Sequence, residues 1–109
     1  MGTTSSKYRH IKNDFELVIR SSKDLEHILD TQFGAHGKGL HEKISSVAGL
    51  SPELVKNMRY LATIRNKLVH EYDFNKIPER EKFIGKFDQS TLDLKKAVEE
   101  RGNGGCIIC

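Results

Sequence analysis

The stretch "SPELVKNMRYLATIRNKLVHEY", Ser51 to Tyr72, decides the fold class. Its first three residues form a helix start. Ser51 offers a side-chain oxygen to the unpaired N–H groups of a first turn, Pro52 suits the first helical position, and Glu53 places an acid at the positive end. Leu54, Leu61, Ile64 and Leu68 then recur at the three-, four- and seven-residue steps of one buried stripe. The spacing predicts a helix from about Pro52 to about Tyr72.

The same logic extends outward. Before this helix, "LHEKISSVAGL" (Leu40–Leu50) reads as a short amphipathic helix closed by Gly49. "GAHGKG" (Gly34–Gly39), with three glycines in six positions, stops an earlier one. In that earlier segment Ile11, Phe15, Val18, Ile19, Leu25, Ile28 and Leu29 keep a helical period, with a slip around Ser21-Ser22, so a helix is expected over about 7–33. After the deciding stretch, "DFNKIP" is a loop. Pro78 and Glu79 open a last helix with Phe83, Ile84, Phe87, Leu92, Leu94 and Val98 on its apolar side, and "RGNGG" ends it. No segment alternates with period two, and no repeat is visible. The expected fold is all-α: an up-and-down bundle of about four helices, joined by short connections.

The chain has 109 residues, enough for one modest core, with 30% charged and 37% hydrophobic residues. Its formal charge of +3 permits an anionic partner without requiring one. One domain is expected over residues 8–101, with an N-terminal arm at 1–7 and a C-terminal tail at 102–109. No apolar run is long enough to span a bilayer. Residues 1–14 lack the apolar centre of a secretory signal, and the two cysteines, Cys106 and Cys109, cannot staple a fold. The expectation is a cytoplasmic protein.

Within the deciding stretch, "RNKLVHEY" (Arg65–Tyr72) gathers Arg65, Asn66, His70 and Tyr72 at a helix end. Asn66 and His70 are one turn apart. Arg65 and Tyr72 are seven apart and nearly share a face. Arg65 and His70 are about 140° apart on the wheel, a gap that only a long side chain closes. These groups suit phosphate chemistry. An imidazole exchanges protons near neutral pH, and a guanidinium grips a phosphate while keeping its charge. RNA cleavage through the ribose 2′-OH needs a base and a cation, and no metal. A solvated helix end that carries cations to complement its dipole has the same residues. No metal-ligand cluster is visible, since His10, His27, His36 and His41 have no carboxylate or Cys at ligand spacing. No cofactor is expected.

"RNKLVHEY" resembles the signature of the HEPN superfamily: an Arg, a polar residue, three further residues, then His. More narrowly it is similar to HepT-type HEPN proteins, which add a Tyr two residues after the His. Arg65, Asn66, His70 and Tyr72 each match. The resemblance implies a helical domain over about residues 8–101 with the motif at the end of its third helix. It also implies a homodimer whose two motifs face each other, and either a metal-independent endoribonuclease or a non-catalytic binding adaptor. In the enzyme, Arg65 would stabilise the phosphate, His70 would act as base or acid, Asn66 would orient them, and Tyr72 would line the site or take a modification. Two His70 side chains would divide the base and acid roles. Lys56, Arg59 and Lys67 would form a basic rim for RNA.

The termini carry two further patterns. "MGTTSS" fits N-myristoylation at Gly2, and "CIIC" fits prenylation at Cys106, although Cys109 is an unusual final residue for that pattern. A chance CxxC, a redox pair and, last, half of a metal site are the alternatives for "CIIC". Two lipids anchor a protein stably where one does not, so both together imply association with a membrane.

Overall fold

Capping side chains set where the helices begin. In the computed structural model, which describes residues 8–108 and only the backbone of 102–108, Asn13 Oδ1 accepts the Glu16 N–H at 2.9 Å. Helix α1 (Asp14–Phe33) therefore starts at Asp14, not near residue 7. Tyr8 and Ile11 keep the apolar period but lie in a turn, closed by the Ile11 N–H on the Tyr8 carbonyl at 3.1 Å. Gly34 ends α1 in the left-handed region (φ 65°). Helix α2 (Leu40–Ser46) is seven residues long. Helix α3 (Pro52–His70) starts where its caps place it, with Ser51 Oγ accepting the Leu54 N–H at 3.2 Å.

Helix α3 ends at His70, two residues before the expected end. Glu71 turns into extended backbone (φ −96°, ψ 120°) and its N–H closes on the Lys67 carbonyl. Tyr72 is thus not on the helix. Helix α4 (Arg80–Ile108) begins just after Pro78-Glu79. Its backbone continues through 102–105, where the sequence predicted a stop. Interior glycines cost a helix about 1 kcal/mol each, but unlike proline they leave its hydrogen bonds intact.

The molecule is all-helical among its described residues, a small bundle of four helices. Three long helices run alternately up, down and up, and α2 crosses one end. At that end Arg101 of α4 lies over the Phe33 ring of α1 (4.6 Å) and donates to the Ala48 carbonyl at 2.6 Å. At the other end Asp14, the first residue of α1, pairs with Arg80, the first of α4, and accepts the Ile77 N–H at 2.8 Å. Helices α1 and α4 therefore run in the same direction, with α3 antiparallel to both.

The core takes Leu17, Val18, Leu25 and Leu29 from α1, Leu40 and Ile44 from α2, the whole Leu54–Leu61–Ile64–Leu68 stripe from α3, and Phe83, Ile84, Phe87 and Leu94 from α4. Truncating one such Leu to Ala costs about 2–5 kcal/mol. Two residues expected on core faces are instead half exposed, Phe15 at 43% and Leu92 at 48%. Polar links join the long helices at their edges. Lys86 Nζ of α4 donates to Asn57 Oδ1 of α3 at 3.0 Å, and Lys82 and Lys86 flank the Tyr60 ring at 5.2 and 5.7 Å.

Candidate functional site

The core stripe of α3 turns Leu68 inward, and this orientation leaves Asn66, Lys67, Val69 and His70 outside. Arg65, half-buried at the edge of the stripe, donates from Nη1 to Asn66 Oδ1 at 3.1 Å. The structure thus brings Arg65 and Asn66 together. His70 sits one turn beyond Asn66, exposed, with no hydrogen bond or ion pair to any described residue. The gap between Arg65 and His70 stays open, because the guanidinium is turned to its neighbour. Tyr72, past the helix, is 94% exposed. Its seven-residue relation to Arg65 does not put them on a common face, since the helix ends between them.

The loop after α3 is anchored from both sides. Phe74 packs against the core, its N–H reaches the Glu71 carbonyl at 3.1 Å, and Lys67 Nζ lies 5.6 Å from the centre of its ring. Ile77 is buried and tied to Asp14. The motif end of α3 therefore projects from a braced corner made by α1, α4 and this loop.

The expected basic rim is only partly present. Lys56 and Lys67 are exposed. Arg59 is committed elsewhere: it reaches across to α2, contacting His41 Nδ1 at 3.0 Å and donating to Ser45 Oγ at 2.8 Å. Local spacing did not reveal that contact, because the partners lie 18 and 14 residues away.

The same region holds a feature the sequence did not signal. A cavity of about 430 Å³ opens between the 36–37 loop and α2, lined by His36, Gly37, His41, Glu42, Ser45 and Ser46. Gly37 (φ 129°) lets the loop touch α2, since a Cβ there would fall 2.5 Å from Glu42 Cβ. Burial, and then the Arg59 charge, hold the His41 imidazole below its ordinary value. Glu42 accepts the Lys38 N–H at 2.9 Å, and Ser46 Oγ accepts the His36 N–H at 3.0 Å, so the lining is largely engaged in shaping the loop. Among the described residues, no group of three or more His, Cys, Asp or Glu side chains is placed to hold a metal ion. Among them, too, no helix is long and apolar enough to cross a membrane. Gly2 lies outside the described residues. Cys106 falls in the last turns of α4, where only the backbone is described.

Comparison of the chain with protein-family models, with curated proteins and with solved structures finds no match.

Proposed function

We propose that this chain is a HEPN-like helical protein that acts as a homodimeric, metal-independent endoribonuclease. The observation that carries this reading is a cluster of polar groups at one helix end that the fold does not use. Arg65 and Asn66 bond only to each other, and His70 has no partner among the described residues. Polar side chains spent on stability are usually engaged, as Asp14, Asn13 and Arg59 are here.

In the proposed reaction, one His70 imidazole takes the proton of a ribose 2′-OH. The 2′ oxygen attacks the adjacent phosphorus, and the bond from phosphorus to the 5′ oxygen breaks. The second subunit's imidazolium gives its proton to that leaving oxygen. The products are a 2′,3′-cyclic phosphate and a free 5′-OH. Arg65, oriented by its Nη1 bond to Asn66, binds the phosphorus oxygens through its remaining N–H groups as their charge grows. Lys56 and Lys67 contact the RNA backbone. Val69 and Tyr72, exposed beside the motif at 46% and 94%, supply apolar surface for the two-fold contact.

Those same two side chains favour a second reading, a non-catalytic adaptor that uses this corner to bind another protein. In either reading the protein is cytoplasmic and is tethered to membranes by lipids on Gly2 and Cys106. Incubating the wild-type protein with single-stranded RNA in excess chelator tests the enzymatic reading. The expected result is cleavage with 2′,3′-cyclic phosphate ends. Intact RNA across a broad range of conditions overturns that reading and leaves the adaptor.

A further inference from the structure

The seam between α1 and α4 is filled in its lower part and open above. Tyr8 fills the lower part: its hydroxyl bonds to Asp24 of α1, and its ring lies 5.5 Å from that of Phe87 of α4. One helical turn further along each helix the seam opens into a groove of about 400 Å³, lined by Ile28, Gln32, Thr91, Lys95, Val98 and Glu99. Ile28, Val98, the Thr91 methyl and the aliphatic stems of Gln32, Lys95 and Glu99 give it a mainly apolar wall with charged heads at the rim. Its volume lies within the ~300–1,000 Å³ of ordinary ligand sites.

The course of the chain points to what enters this groove. From Tyr8 onward the backbone descends along the seam: Tyr8 lies beside Phe87, Arg9 pairs with Glu81, and Asp14 pairs with Arg80. The groove begins one helical turn beyond these Tyr8 contacts. Residues 1–7, which lie outside the described residues, precede Tyr8. Six residues of extended chain reach about 20 Å. Thr91 to Val98 spans about 10 Å of helix. Gly2 can therefore reach any point of the groove. The segment Gly2–Lys7 has no large apolar side chain of its own, whereas an acyl chain on the Gly2 amine would supply one.

We infer that the α1–α4 groove is an acyl-chain site whose ligand is the fatty acyl group on the protein's own Gly2, so that the chain conceals its lipid until the groove releases it. The inference rests on the Gly2 acylation in the reading above, and acylation is measured separately in its test. The protein is co-expressed in bacteria with an N-myristoyltransferase, and its mass is measured. Methyl resonances of the acylated protein and of unacylated full-length protein are then compared, and binding to phosphatidylcholine vesicles is measured for acylated wild type and acylated Val98→Glu.

The expected result is the added acyl mass, with shifted resonances for Ile28 and Val98 and none for Ile77 and Val69 at the opposite end. Acylated Val98→Glu should bind vesicles at least tenfold more than acylated wild type, because its lipid is displaced from the groove. A protein that gains no acyl mass overturns the inference at its first step. An acylated protein whose Ile28 and Val98 resonances do not move overturns it at the groove itself, and this result stands even if Val98→Glu fails to fold. Shifts that follow protein concentration and not acylation would assign the groove to a second copy and also overturn it.

Discussion

The Asp14 carboxylate accepts the Ile77 N–H at 2.8 Å, so the first residue of α1 holds the loop that leaves the motif end of α3. The contact joins residues 63 apart in sequence, and the same carboxylate pairs with Arg80. One acid thus orders the 71–79 loop and aligns α1 with α4. Asp14→Ala is expected to destabilise the protein by about 1–3 kcal/mol, chiefly by leaving the Ile77 N–H without its acceptor. Asp14→Asn, which keeps an acceptor but loses the charge, should cost less. Urea unfolding of the three proteins measures both effects.

A second expectation concerns the 36–42 corner. Gly37→Ala must place a Cβ 2.5 Å from Glu42 Cβ, on backbone at φ 129° that L residues rarely adopt. A loss of more than about 1 kcal/mol is expected. Gly39→Ala, at extended backbone with no atom within 4 Å of the new Cβ, is the control and should cost less.

How legible such features were depended on how local their causes are. The start of α3 was readable because Ser51, Pro52 and Glu53 are adjacent and each acts on its own first turn. The start of α1 is not marked locally, because Tyr8 and Ile11 are core residues that continue the apolar period, while the residue that sets the boundary, Asn13, is polar and outside the pattern. The seven-residue spacing from Arg65 to Tyr72 assumes an unbroken helix, and the turn at Glu71 carries no proline or glycine to announce it. The charge and position of Arg59, visible in sequence, suggest a rim, but its partners His41 and Ser45 are brought to it only by tertiary packing.

Tyr8 gives a pH dependence at the alkaline end. Its hydroxyl is pushed up to about 12 from an ordinary 10.0, first by burial and then by its bond to Asp24. The folded protein holds this proton more tightly than the unfolded chain. The associated stability is complete below pH 10 and is lost as pH rises from 10 to about 12, a change on the order of 2 kcal/mol. Tyr8→Phe should be less stable at neutral pH and should flatten the profile in that window. Thermal unfolding across the alkaline range reads both.

His41 gives the opposite slope at the acid end. Its folded value lies below the ordinary 6.5 because of burial and the Arg59 charge, so the unfolded chain binds the proton more readily. Stability from the neutral ring is present above pH 6.5 and falls as pH drops through the folded value. His41→Gln should remove that component, and urea midpoints of wild type and variant should differ in slope below pH 6.5.

If the end of α3 cleaves RNA through His70, as proposed, cleavage depends on that imidazole. The direct measurement is the cleavage rate of a single-stranded RNA, in excess chelator, by wild-type protein and by His70→Ala. His70 is exposed and makes no contact that the fold uses, so the variant should fold and unfold as wild type does. Wild type is expected to cleave, and the variant at a rate at least about 100-fold lower. Equal rates in the two proteins, or no cleavage by wild type, would contradict the proposal.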